Sequence, residues 1–530
     1  MRVPIVVLSL GIATLASGCA RQGKDQTSVI TRRLDGEPKT LNPLLATSVP
    51  DMDVTALLFA NLLEYDEKLN LLPGLAESVE ADAAHRVYTV KLRPGARWED
   101  GSAITAKDVA YTLRALMDPK TPAFNRRGFF EGFEKAEVVD DLTCKVFFSS
   151  SFAARRDAFN LPLLPAALYE GKDVATHPRN REPLANGPYR LTRWVPGQRI
   201  ELVRNTQYFG DKPPAERIVL RLVPETAPAF QALLSEEIDE MRLNTPEQKR
   251  QVVDDASALA VKPYVYDELG YTYVGWDNRH PLFSDPAVRR ALTALVDRES
   301  IGKELFVGLA RPSNGPIPPG LWSFDPTIKP WPYDPAAAEA ALDAAGWVRG
   351  EDGKRRKNGK PFSFTLSFGA GSDIQRQVAE VLQQSFGEAG IDVSLESLEW
   401  ATFSTKVDAG ELPATLLAIS LDANPDLSLN WHSNQVPPNG FNSNFYSNPK
   451  ADALMDRLKT EFDRPTAKAL YAQLARIIHE DEPVTFMHTV SVKWAVNKRI
   501  SNVKTSPIGI AVFWPGVAGW KPVRARAAVN

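Results

Sequence analysis

Apolar and polar positions change period several times along this chain, and each change marks an element. Around residue 90, Tyr88, Val90 and Leu92 alternate with Val87, Thr89 and Lys91, and Arg93-Pro94-Gly95 follows, which predicts a strand ending in a turn. Thr105-Ala106-Lys107-Asp108 then resembles a capping box with Asp in the usual Glu position, and Val109, Leu113 and Leu116 continue at helical spacing. In the second half, Asp285-Pro286 opens a helix carrying Val288, Leu292 and Leu295. Asp334-Pro335 opens an alanine-rich helix stopped by Gly346. Phe362, Phe364, Leu366 and Phe368 alternate as a strand. Ser372 caps a helix with Ile374, Val378, Val381 and Leu382, and Gly390 closes it before the strand Ile391-Asp392-Val393-Ser394-Leu395. That is a strand–helix–strand crossover, right-handed if the two strands are parallel. No repeat is detectable. The fold class is α/β with some antiparallel pairing.

The N-terminus changes the picture of where this protein works. Arg2, the apolar run Ile5 to Leu15 and Ala16-Ser17-Gly18 form a signal peptide over residues 1–18, too short to span a bilayer. Cys19 directly after the small residues is the lipobox arrangement, although Ala16 stands where leucine is commoner. Cleavage before Cys19 leaves a thiol for lipidation and an amine for a further acyl chain, and two chains give a stable anchor. An ordinary signal with an incidental cysteine is the other reading. Residues 19–28 form a polar tether. Cys144, the second of 2 cysteines, lies in the apolar run Cys144-Lys145-Val146-Phe147-Phe148 and reads as a buried strand thiol. No other segment is apolar for the length of a membrane span.

With 530 residues the chain exceeds a single core, and about 100–200 residues per unit predicts three or four. Hydrophobic and charged fractions of 44% and 24% are ordinary for a globular protein. A net charge of −3 without a basic stripe or run gives no nucleic-acid signature, and no nucleic-acid partner is expected.

Catalytic constellations are missing from the pattern. His85, His177, His280, His432, His479 and His488 form no metal-binding spacing with each other or with cysteine. There is no Gly-x-Ser-x-Gly elbow, phosphate loop or dinucleotide fingerprint. His479-Glu480-Asp481-Glu482 is the densest set of metal-ligand types, but it follows Leu470, Leu474 and Ile478 on an amphipathic helix and reads as a solvated helix end. No cofactor or metal is expected, and the chain reads as a non-enzyme. A secreted hydrolase with scattered residues remains an alternative.

A series of ordered segments carries the strongest information. They are Gly36-Glu37-Pro38-Lys39-Thr40-Leu41-Asn42-Pro43, Pro73-Gly74-Leu75-Ala76-Glu77-Ser78, and Lys91-Leu92-Arg93-Pro94-Gly95-Ala96-Arg97-Trp98. Asp100-Gly101-Ser102-Ala103-Ile104-Thr105-Ala106-Lys107-Asp108-Val109 and Asn186-Gly187-Pro188-Tyr189-Arg190-Leu191 follow, then Arg204-Asn205 with Tyr208. Phe283-Ser284-Asp285-Pro286-Ala287-Val288-Arg289-Arg290-Ala291-Leu292 leads to Asp297-Arg298, Tyr333-Asp334-Pro335, Ala345-Gly346-Trp347, and Asn448-Pro449 with Asp452. In this order and spacing the chain resembles the family 5 extracellular solute-binding proteins, the oligopeptide- and dipeptide-binding group, from about Thr31 to about Gly509.

The resemblance implies a bilobal, periplasmic-binding-protein-like fold of three domains with a hinged ligand cleft. Domain I would be discontinuous, from residues 29–59, 186–268 and 490–530; domain II would span 60–185 and domain III 269–489. Hinge crossings are expected near Pro263–Tyr271 and Met487–Lys493. The implied function is capture of a solute, a short peptide first, by a monomer that passes it to the permease of an ABC transporter. Nickel chelates, haem, glutathione and oligosaccharides are ligands of other members and stay open, as does a chaperone-like binder of unfolded segments.

The resemblance also assigns site residues. In peptide-binding members an aspartate in an Ala-Asp-Tyr-like segment meets the peptide amine, and Ser420-Leu421-Asp422-Ala423-Asn424-Pro425-Asp426 matches that segment. The role falls on Asp422, with Ser420 and Asn424 beside it; the other reading is an aspartate that caps a turn or the following helix. Ala423 replaces the tyrosine, and Leu416 stands where the oligopeptide binder carries a carboxylate-binding arginine. Val49 matches a ligand-contacting position. Phe124, Tyr273, Trp276 and Trp431 are further wall residues, each also suited to a core. Arg289 and Arg290, at a helix start, are expected to make structural pairs.

Overall fold

The computed structural model describes residues 28–254 and 258–523. The signal segment and the lipidation candidate Cys19 lie outside the described residues. No helix among the described residues is long and apolar enough to cross a membrane.

The strand Val484–Asn497, 14 residues long, organises a mixed α/β architecture. Its first part pairs antiparallel with Gly270–Trp276, while Ser491 to Asn497 pair antiparallel with Val261–Asp267. On the side of its second part the sheet continues through Glu240–Arg242, Val29–Leu34, Arg217–Leu222, Arg199–Arg204 and Tyr189–Val195. On the side of its first part it continues from Gly270–Trp276 through Ala414–Ser420 and Ser363–Gly369 to Asp392–Leu398. One strand thus serves two groups of strands, and the chain passes between them at Asp267 to Gly270 and at His488 to Ser491. Gly270 is required at the first passage, because a Cβ there would stand 2.2 Å from the Ile419 carbonyl oxygen.

The expected crossover is present: Ser363–Gly369 and Asp392–Leu398 are parallel neighbours, joined by the helix Asp373–Glu388. The Gln375 N–H donates to the Ser372 hydroxyl at 3.4 Å. Gly390 holds φ +82 and packs where a Cβ would meet the Gly353 carbonyl oxygen at 2.4 Å, so the helix stops there.

A separate four-stranded antiparallel sheet has the order Ala76–Ala81, Val87–Leu92, Thr143–Phe148, Phe133–Val138. The helix Ala106–Met117 packs on it and begins with the expected capping box between Thr105 and Asp108. Asp suffices in place of Glu because it is shared. Its Oδ2 accepts the Thr105 N–H at 2.8 Å, and its Oδ1 accepts the distant Ala166 N–H at 2.7 Å. Cys144 is fully buried in this sheet, and burial pushes its thiol up to about 12, so the reactive thiolate is scarce at neutral pH.

The His479–Glu482 segment corrects one expectation. It ends the helix Arg464–Asp481 with Glu480 exposed as expected, but Glu482 is fully buried and His479 and Asp481 are half-buried. Arg289 donates to the carbonyls of Glu482 at 2.8 Å and Asp481 at 2.7 Å, and Arg290 to that of Glu480 at 2.6 Å. Two guanidinium groups therefore cap the orphan carbonyls at the negative end of the helix dipole. The Asp481 carboxylate accepts from the Tyr446 hydroxyl at 2.7 Å, and the Glu482 carboxylate from the Thr293 hydroxyl at 2.9 Å. These acids are thus tied into the core. Among the described residues no group of three or more His, Cys, Asp or Glu is arranged to hold a metal.

Candidate functional site

A cavity of about 640 Å³ is lined by several parts of the chain, among them the helix after Ser48, the segments around Tyr65, Phe129 and Asp157, the loop after strand Ala414–Ser420, and the stretch from Ile508 to Ala518. Residues far apart in sequence are joined within its lining and close by. Asn424 Nδ2 donates to Asp157 Oδ2 at 3.1 Å, and the Ala153 N–H donates to the Lys459 carbonyl at 2.8 Å.

Asp422 lines this cavity. The Leu421 N–H donates to the Leu269 carbonyl at 2.6 Å, extending the pairing beyond the strand end and fixing the residue that follows. The Asp422 side chain is exposed to the cleft, and no hydrogen bond or ion pair to it occurs among the described residues. Its pKa is raised, first by displacement of solvent by the surrounding walls and then by the negative charge of Asp157. A turn-capping aspartate would accept a backbone N–H; this one does not.

Asp157 differs. Its carboxylate accepts the Tyr65 hydroxyl at 2.6 Å and the Asn424 amide at 3.1 Å, yet burial still raises its pKa. Asn424 therefore positions Asp157 across the cleft and lines the cavity itself. Glu64, also in the wall, receives both the N–H and the side-chain amide of Asn61, at 2.7 and 2.9 Å, and burial lifts it to about 7. The cavity lining holds the carboxylates of Asp53, Glu64, Asp157 and Asp422 together with the guanidinium groups of Arg126 and Arg242.

Val49 is the first residue of helix Val49–Leu58, is 57% exposed and lines the cavity. The reciprocal bonds of Ser48 and Asp51 fix this helix start, at 3.3 and 3.2 Å. Ser420 is exposed at its strand end but lies outside the cavity lining. Phe124 begins the short helix Phe124–Arg127, and its side chain is outside the described residues.

The aromatic assignments need correction. Tyr273, Trp276 and Trp431 do not line the cavity. Trp276 is fully buried against Phe283 and Phe364, with ring centroids 4.8 and 5.8 Å away, and its indole N–H donates to the Thr485 hydroxyl at 3.2 Å. Trp431 packs on Phe486 and Tyr446. Tyr273 packs beside Tyr271, and burial pushes its hydroxyl up to about 12. The cause is topology. Gly270–Trp276 is an interior strand covered on both faces, so both sets of its alternating side chains belong to a core. Flat walls come instead from Tyr65, Phe129, Tyr266, Trp494 and Trp514. The Trp514 N–H donates to the Tyr65 carbonyl at 2.7 Å, binding two of these walls together.

Two strand groups joined by two chain passages, with a lined cavity in the molecule, fit a protein that captures a small solute. The chain belongs to the bacterial extracellular solute-binding proteins, family 5, whose middle-region description matches residues 70–442. This is a family of ABC-importer binding proteins, not of enzymes. The chain is 28% identical over 483 residues to the oligopeptide-binding protein AppA of Bacillus subtilis, covering 89% of this chain and 88% of that one. It is 28% identical over 487 residues to the glutathione-binding protein GsiB of Pectobacterium atrosepticum, covering 88% and 90%. The structure of Bacillus subtilis AppA in complex with a nonapeptide superposes with TM-score 0.73 at 26% identity, over 94% of this chain and 99% of that one.

Proposed function

We propose that this protein is an extracytoplasmic lipoprotein that closes on a short peptide and delivers it to an ABC permease. The observation that carries the reading is Asp422: an unpaired carboxylate in a partly desolvated cavity, beside a second carboxylate that raises its proton affinity. Such a site favours a cation, and a peptide ammonium supplies one with hydrogen-bond donors attached. The peptide and glutathione binding named for AppA and GsiB supports a peptidic ligand.

In this reading, residues 29–59, 186–268 and 490–530 form domain I, residues 60–185 domain II and residues 269–489 domain III. Hinge motion occurs at the two passages between the strand groups. Opening breaks the Asp157–Asn424 and Ala153–Lys459 bonds, and ligand binding shifts the population towards the closed form.

Native mass spectrometry of the protein purified from its source organism tests the ligand. The expected result is retained mass that fragments as short peptides; a retained metal chelate, haem or sugar would overturn the peptide reading. The anchor is tested separately. Cys19→Ala is expected to release a folded protein from membranes, since acyl chains contribute about 0.8 kcal/mol per buried methylene. Undiminished membrane association of that variant would contradict it.

A further inference from the structure

Three successive residues at the first passage between the strand groups have three different attachments. The Tyr266 side chain lines the cavity. Asp267 ends the strand Val261–Asp267 opposite Ser491, and its carboxylate reaches the other strand group. Arg311 donates to it through two nitrogens, Nη1 to Oδ1 at 2.8 Å and Nη2 to Oδ2 at 2.6 Å. The Ser491 hydroxyl donates to the same Oδ1 at 2.6 Å. Arg311 belongs to the strand Ala310–Pro312, which pairs with His488, Thr489 and Val490 of the second passage. Glu268 is attached to the first group instead. Its N–H donates to the Val490 carbonyl at 3.0 Å, and its carboxylate accepts from Arg242 Nη2 at 3.0 Å. Arg242 ends the strand Glu240–Arg242 and lines the cavity, whereas Asp267, Glu268, Arg311 and Ser491 do not. Both ion pairs therefore straddle the place where the chain passes between the groups. Their four side chains are 31 to 49% exposed, so they add little to folding. A two-pronged guanidinium–carboxylate contact is nevertheless specific in geometry, and it fits one relative orientation of its two strands.

Resting on the hinged two-lobe reading above, we infer that these pairs form a hinge clasp, in which Asp267 and Arg311 are positioning residues that hold the lobes closed and set ligand affinity from outside the cavity. The fork fits only while Ala310–Pro312 keeps its present angle to Val261–Asp267. Rotation at the passages, which parts Asn424 from Asp157, also draws Arg311 away from Asp267. Closure thus gains the clasp together with the ligand contacts, and the clasp's share is the same whatever the ligand. Through Glu268 the same passage is tied to Arg242, so a ligand lying against Arg242 and Tyr266 bears on the hinge directly.

Spin labels on exposed sites of domains II and III of the full chain test this by pulsed EPR, which reads the separation of the lobes. It is measured on the empty protein and after addition of a tryptophan-free pool of random tripeptides. Arg311→Gln and Asp267→Asn are each expected to lower the ratio of short to long separations about 3- to 10-fold, the scale of a half-exposed, two-pronged ion pair. Affinity for the pool, followed by the fluorescence of the cavity-lining Trp494 and Trp514, should fall by a similar factor, with the loss in the dissociation rate. The double variant should lose no more than either single one, and Arg311→Lys should recover part of the loss. All the empty variants should melt with the parent. Separations unchanged from the parent overturn the clasp, and unchanged separations with earlier melting show a purely structural role. Failure of the pool to bind the parent removes the peptide reading alone, because the separations in the empty protein still decide the clasp.

Discussion

Asp422→Asn is expected to weaken peptide binding by roughly 30- to several-thousand-fold. On closure the peptide ammonium loses water, and the protein must replace that solvation with a negative partner. Truncating one member of a buried, hydrogen-bonded charge pair costs about 2–5 kcal/mol, and each 1.4 kcal/mol is about tenfold in affinity. Stability without ligand should not fall, and its sign follows from the pKa. Asp422 is raised in the folded protein, so folding favours its protonated form and the ionised form at neutral pH opposes folding slightly. Removing the charge therefore costs nothing in the empty protein. Calorimetry on parent and variant, with thermal melts of both, separates the outcomes. A variant that binds within threefold of the parent, or that melts much earlier, would remove Asp422 from the ammonium role.

Trp276→Ala carries the largest expected effect on stability, about 3–5 kcal/mol, as for other fully buried aromatics cut to alanine. The indole packs against Phe283, Phe364 and Phe386, and its loss also leaves the Thr485 hydroxyl without that donor. Because Trp276 lies outside the cavity lining, peptide affinity of the folded variant should stay near that of the parent. Urea unfolding should shift the midpoint at nearly constant slope. Unchanged stability with weakened binding would return Trp276 to the ligand wall.

These two residues show how much was legible in the sequence. Local signals read well wherever a short-range rule decides. Alternation gave the strand Val87–Leu92, and Thr105 with Asp108 gave a helix start. Ser372 and Gly390 bounded the crossover helix. Asp422 was reachable only because an ordered set of segments resembled a family, since nothing in Leu421-Asp422-Ala423 by itself separates a ligand anchor from a turn cap. Aromatic character alone could not sort wall from core. Trp276 and Trp494 are alike in sequence, and what separates them is whether their strands are covered on both faces at those positions, a property of sheet order. Asp157 left no signal at all. It follows Arg155-Arg156, and only the fold sets it 3.1 Å from Asn424, 267 residues away in the chain. The His479–Glu482 segment was read as a solvated end because the arginines that cap its carbonyls start a helix nearly two hundred residues earlier.

The central claim is that the cleft holds a peptide through its ammonium group, and one comparison tests it most directly. The affinity of the unaltered protein is measured by calorimetry for a single tripeptide pool, once with free amines and once with the amines acetylated. The account predicts that acetylation weakens binding by roughly 30-fold or more, since it leaves Asp422 facing a neutral amide in a partly desolvated cavity. Equal affinity for the two forms would contradict it.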